Sequence, residues 1–212
     1  MTQAVRCDFQ KLDPVYRPES TESQTITVPD KPHVLAIQSI STNTTFAPQP
    51  TTGRGSNGEY RYYVRPTDNI ESSCRVFVFT GFDATADEEY GLRISGGSRP
   101  AFVSSRPYMR VAGQFSINAG DGYGSHTMSD GSREYAAAIM SFSCETRQMQ
   151  GQLPGNEGVY YYDASLCRGV QTNGATIDIA SDVVSLVGSG TDVDTGRFEQ
   201  TSVLVIDVTD LY

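Results

Sequence analysis

The run Cys74-Arg75-Val76-Phe77-Val78-Phe79-Thr80 carries an apolar residue on each of its two faces. Val76 and Val78 point one way and Phe77 and Phe79 the other, so the strand has to be covered on both sides, which calls for packed layers. In the C-terminal counterpart, Ser202 to Thr209, Leu204, Ile206 and Val208 make one continuous apolar face. Opposite them Val203 and Val205 give way to Asp207 and Thr209, so that side turns wet towards the end. Both runs are rich in β-branched or aromatic residues and bounded by turn formers, as strands near the middle of a sheet should be.

The same alternation predicts strands along most of the chain. Gln24 to Val28 is the first and stops at Pro29. His33 to Ser41 sets Leu35 and Ile37 on one face and Val34, Ala36 and Ile40 on the other; Glu59 to Arg65 sets Tyr60, Tyr62 and Val64 together. Phe82 to Glu89 reads as an acidic turn or short helix. Tyr90 to Ser95 and Ala101 to Ser104 flank Gly96-Gly97, and Tyr108 to Ile117 is interrupted at Gly113, where a bulge is expected. Arg133 to Glu145 fits a helical stripe (Tyr135, Ala138, Ile139, Phe142) and a strand face (Ala136, Ala138, Met140, Phe142, Cys144) equally well; its β surroundings favour strand. Gly158 to Asp163, Ala175 to Ala180 and Val183 to Val187 complete the set.

Thr42 to Gly58 and Asn118 to Gly131 read as long polar loops, which are usually functional or mobile. Residues 1–24, where Pro14 and Pro18 exclude a regular helix, read as an extended arm pinned along its own domain or against a neighbouring subunit. The sum is an all-β fold, an antiparallel β-sandwich or jelly-roll-like domain of roughly eleven or twelve short strands. It occupies residues 25–212 as a single domain behind the arm.

Composition narrows the role. The 212 residues are 38% hydrophobic and 19% charged, with a formal net charge of −9. An acidic chain without a basic cluster lacks the electrostatic footprint for nucleic acid, and an anionic membrane surface is disfavoured for the same reason. The basic residues are almost all Arg, a residue suited to fixed bidentate contacts at interfaces, although a base-composition bias explains the choice equally well. The N-terminus has no apolar signal region, and no run approaches the ~18 apolar residues of a membrane span. The protein is therefore expected to stay in the cytoplasm where it is made, or to leave by a route such as lysis inside a virus particle. Cys7, Cys74, Cys144 and Cys167 show no CxxC spacing, which argues against zinc and for buried free thiols. A Cys144–Cys167 bridge stays open as the alternative, although nothing in the spacing supports it.

Candidate chemistry is sparse. His33 opens a strand after Pro32 and reads as a surface edge position; His126 lies in a Gly/Ser loop without a nucleophile elbow. Glu88-Glu89 and the scattered Asp residues give no specific carboxylate pair for glycoside chemistry. Asp192-Val193-Asp194-Thr195-Gly196, with Glu199 beyond, comes nearest to a hard-cation loop, but it lacks the third oxygen ligand and the distant Glu. A plain Asp/Gly hairpin accounts for Asp192 and Asp194 more simply, and the Asp121 and Asp130 loop is weaker still. No cofactor motif is present. Tyr60, Tyr62 and Tyr63, and again Tyr160, Tyr161 and Tyr162, concentrate aromatic surface suited to protein interfaces or sugar stacking. Alternation turns part of each triplet into the core, and the chain has no Trp, so an interface is the better reading.

In overall texture, across the whole chain and without a local motif, the sequence resembles the β-sandwich structural proteins of tailed-bacteriophage virions: head-decoration, fibre and tail components. The resemblance implies a non-enzymatic virion subunit that acts through contacts with copies of itself and with other virion proteins. The alternative is a carbohydrate- or receptor-binding sandwich used in host recognition, with a host-surface glycan as partner. An enzyme built on dispersed carboxylates would require two of them to converge in a cleft.

Overall fold

The computed structural model describes residues 2–10, 23–28, 30, 32–41, 44–50, 58–66, 71–80, 93–96, 99–103, 109–141, 144–152, 159–188 and 198–211. Among them are fifteen strands and no helix. In chain order these are β1 (Thr2–Phe9), β2 (Gln24–Val28), β3 (His33–Ser39), β4 (Phe46–Pro50), β5 (Tyr60–Pro66), β6 (Ser72–Thr80), β7 (Arg93–Gly96) and β8 (Arg99–Val103). There follow β9 (Arg110–Ile117), β10 (Tyr123–Thr127), β11 (Tyr135–Ile139), β12 (Cys144–Gln152), β13 (Val159–Asn173), β14 (Thr176–Gly188) and β15 (Thr201–Asp207).

Two antiparallel sheets make a β-sandwich. The first has the order β1-β6-β3-β11-β15-β9; the second has β10-β14-β13-β4-β5-β2, with β12 also paired to β13. β7 and β8 form a separate hairpin. Both runs singled out from the sequence, β6 and β15, are interior strands of the first sheet. Their faces divide as the alternation requires. Val76, Val78, Val203 and Val205 enter a large core shared with Phe46, Val64, Val170, Ile177 and Ile179 of the second sheet. Phe77, Phe79, Ile206 and Val208 form a second cluster on the outer face, against which Met109 and Leu211 pack. Each such buried side chain contributes about 1.5–3 kcal/mol of hydrophobic stabilisation, which is why a strand apolar on both faces settles inside a covered sheet.

Several expectations are corrected. The arm predicted over residues 1–24 lies along its own domain over Thr2–Phe9, one of the two placements expected, but as an edge strand in register with β6 whose Cys7 and Phe9 are core residues. The polar loop predicted over 42–58 contains β4. Its Pro48 and Pro50 argue against an interior strand, yet among the described residues β4 pairs along its length only with β5 and meets β13 at one position, Phe46 against Val170. With no second ladder to supply, the missing proline N–H groups cost little. The loop predicted over 118–131 contains β10, an edge strand paired to β14, and β12 was not foreseen in its polar sequence. Within segment 133–145 the strand reading holds over β11, Tyr135–Ile139, which is buried at all five positions, and at the start of β12, while Met140 and Ser141 form a bend. The bulge expected at Gly113 is present as a register shift against β15 that skips Ala112.

Backbone turns follow local chemistry. The β13–β14 hairpin closes Asn173 onto Thr176 through Gly174, whose φ is +58°, and Ala175. Glycine at the first central position is what a two-residue turn of this hand requires. Farther along β13, Gly169 lets β4 approach closely, since a Cβ there would stand 2.6 Å from Thr45 Cγ2 and 3.0 Å from the Phe46 backbone.

Candidate functional site

The alternation of β5 turns Tyr60 and Tyr62 inward, where they pack on the core, and leaves Tyr63 39% exposed with the Arg65 guanidinium 5.6 Å from its ring centroid. His33 is not at a sheet edge. It opens the interior strand β3, half-buried, with Nε2 2.7 Å from the Tyr62 hydroxyl and its ring 5.2 Å from Tyr60 and 5.5 Å from Tyr62. Burial, then the neighbouring Tyr60, pushes the Tyr62 phenol above its ordinary value. A cleft of ≈ 160 Å³ lies alongside, lined by His33, Leu35, Tyr62, Ala138 and Met140. Two of the three tyrosines of this triplet therefore serve the packing of the interior. The backbone of Tyr160, Tyr161 and Tyr162 lies in β13, paired with β12; their side chains fall outside the described set.

A polar network gathers around the end of β15. Arg133 Nη1 bonds Asp207 Oδ2 at 2.5 Å and Arg133 Nε bonds Asp130 Oδ2 at 3.0 Å, while Arg110 stands 3.6 Å from Asp207 Oδ1. Asp207 is 5% exposed. Burial raises its carboxyl, but the hydroxyl and amide of Thr209 and then the two guanidinium groups outweigh that, and the net shift is downward. The end of the strand that reads as wet is thus a buried acid neutralised by arginine. Beside it Gln38 receives a bond from Arg75 at 3.0 Å and gives one to Glu134 at 3.1 Å. These groups line an open cleft of ≈ 360 Å³ together with Ser39 and Thr172. Ser39 and Thr172 exchange backbone-to-hydroxyl bonds of 2.8 and 3.1 Å and so tie β3 of one sheet to β13 of the other.

Arg168 is the residue sequence reasoning missed. It is 2% exposed on β13. Its guanidinium gives bonds to the carbonyls of Glu199 at 2.7 Å, Asn118 at 3.1 Å and Asp121 at 2.6 Å, and to the Thr201 hydroxyl. It also lies 4.9 Å from the Phe198 ring centroid. Asp121, weighed above as a cation ligand, turns its carbonyl to this arginine instead, and Asp130 is taken by Arg133. No group of three or more His, Cys, Asp or Glu stands together among the described residues; Asp192, Asp194 and the Glu88-Glu89 turn lie outside them. A single Arg inside Leu-Cys-Arg-Gly-Val was the available signal, because a guanidinium in the apolar part of a strand has to find partners.

The cysteines are corrected in part. Cys7 and Cys74 are free and buried as expected, whereas Cys167 is disulfide-bonded. Cys144 stands directly opposite Cys167 in the β12–β13 register, a relation that sequence spacing does not reveal.

One side of the sandwich is formed by the edge strands of both sheets, β9 and β10. They are joined through the 118–122 turn and face each other through Phe115 and His126, whose rings stack at 5.2 Å and 14°. Among the described residues no strand pairs the outer edge of either. Val111 on β9 is 53% exposed and Tyr123 on β10 is 60% exposed, the two most exposed large apolar residues described. Ile117 packs beside Gly124 and Gly113 beside Met128, so Tyr123 and Val111 mark opposite ends of this side. Open backbone edges with exposed apolar groups are able to pair with another chain. No family model, curated protein or solved structure matches the chain.

Proposed function

We propose that the chain is a non-enzymatic structural subunit that works by protein–protein contact, in its specific form a decoration or other capsid or tail component of a phage virion. The observation that carries the reading is the β9–β10 side, where two open strand edges and the exposed Val111 and Tyr123 coincide. Monomeric β-proteins usually protect such edges with charge, proline or a covering segment, and between Val111 and Ile117 β9 has no charged residue. The occupant we assign to this side is a second copy of the chain. The phage-virion form rests on the resemblance in sequence texture.

Light scattering across a concentration series tests the assembly reading. The expected mass is a multiple of 23.1 kDa that falls to the monomer value in Val111→Lys or Tyr123→Lys. A wild-type chain that stays monomeric at every concentration overturns it.

A further inference from the structure

We propose that Cys7 and Cys74 are a dithiol that closes to a cross-strand disulfide when the protein meets a disulfide oxidant, fastening the edge strand β1 to β6. The inference is independent of the assembly reading. It starts from register: Cys7 and Cys74 are direct partners in the antiparallel β1–β6 ladder. Opposed residues in such ladders have Cα atoms about 4.5 or 5.5 Å apart, depending on the kind of pair. Both values lie inside the window that a disulfide spans without moving the backbone. The two side chains point the same way, both are 0% exposed, and each thiol shifts the pKa of the other. The two thiols are therefore register neighbours in a space sealed from solvent.

The other two cysteines of the chain stand in the same relation. Cys144 is the register partner of Cys167, and Cys167 is disulfide-bonded. Each sheet thus holds one directly opposed cysteine pair.

The two thiols are not equivalent. The hydrogen bond from Cys74 holds Cys7 below its ordinary value, while burial, and then the same contact, pushes Cys74 well above its own. When the edge strand β1 detaches, Cys7 is carried into solvent while Cys74 stays on β6, so Cys7 is the first nucleophile. Its thiolate attacks one sulfur of a small disulfide such as oxidised glutathione, breaking that S–S bond and releasing one glutathione thiolate. Cys74, losing its proton to solvent, then attacks the Cys7 sulfur of the mixed disulfide and expels the second glutathione. Two protein thiols are oxidised, one small disulfide is reduced to two thiols, and no other electron acceptor is needed. Access comes through opening of β1, which among the described residues is held by a single neighbouring strand, so that it can detach without global unfolding.

To test this, the full chain is unfolded in urea without reductant and refolded in a mixture of reduced and oxidised glutathione. It is then alkylated and digested with trypsin under non-reducing conditions. The expected product joins the peptide of residues 7–11 to that of residues 62–75, and its reduction reverses the link. Closing the long loop between the two positions should raise the thermal midpoint by roughly 10 °C over the chain in which Cys167 stays disulfide-bonded and Cys7 and Cys74 are free thiols. In Cys74→Ser the oxidant-dependent rise should vanish. The proposal is overturned if at equilibrium Cys7 and Cys74 are recovered mainly as free thiols, as glutathione adducts or as links to other cysteines. It is equally overturned if Cys74→Ser keeps the shift in midpoint.

Discussion

Replacing Arg168 should loosen one end of the sandwich more than the rest of it. The guanidinium joins β13 to two separate stretches, the 118–121 turn after β9 and the 198–201 run entering β15. Hydrogen bonds from a charged donor contribute about 1.5–3 kcal/mol each, but Asn118, Asp121 and Glu199 are exposed. Water takes over most of what their carbonyls lose. The Thr201 hydroxyl and the Phe198 ring, both 0% exposed, are less easily compensated, and a desolvated cation over a ring is worth about 2 kcal/mol. Against this, burial lowers the pKa of Arg168, and its Nε has no partner, so removing the charge recovers about 1–3 kcal/mol of desolvation. For Arg168→Met, which keeps most of the apolar stem, the balance is about 2–3 kcal/mol of destabilisation, or about 1 M in the urea midpoint. Hydrogen exchange supplies the local readout. The Gly120 amide bonds the Phe198 carbonyl at 2.8 Å, within the frame that Arg168 braces, and should lose protection well before the amides of β6. A variant that unfolds at the wild-type midpoint or above it, with Gly120 still protected, would show that the arginine is tolerated rather than needed.

Two further outcomes follow from the packing and the charges. Gly169→Ala forces a methyl against Thr45 and the Phe46 backbone and should cost about 2 kcal/mol; the thermal midpoint should drop by several degrees, partly restored by Thr45→Ser, and an unchanged midpoint would contradict the close approach. Asp207 has a folded pKa below its ordinary 3.8, so its contribution is present above that value and is lost as pH falls through the folded pKa. Asp207→Asn should therefore be weaker than wild type by about 1–2 kcal/mol near pH 7, with urea midpoints that converge in strong acid; a constant gap across that range would refute the assignment.

What the sequence disclosed and what it hid divide along a physical line. The two-faced β6 and the half-wet β15 were legible because period-two alternation is local, and so was the strand character of β11, whose neighbours settled a tie that its own residues left open. β4, β10 and β12 were not, because prolines, glycines and polar residues are acceptable wherever a strand has one neighbour or a solvent face, and neither condition is visible locally. The interface expected at Tyr60 and Tyr62 is largely interior, because His33, far from them in sequence, fills the space between the two rings. Arg168, the Asp207 ion pair and both opposed cysteine pairs depend on register between distant strands. Only folding brings them together.

The position of β15 has a consequence for the order of events during synthesis. In the first sheet this strand lies between β11 and β9, although both precede it by tens of residues. Neither can complete its ladder until Thr201–Asp207 has been made and has left the ribosome. Until then the nascent chain holds two waiting edges, and the strand that should separate them is the last to arrive. Pairings of such long sequence separation form slowly and leave unpaired edges exposed in the meantime. The β13–β14 hairpin, closed by a two-residue turn, faces no such delay. Assembly of this sandwich thus ends with an insertion in the first sheet.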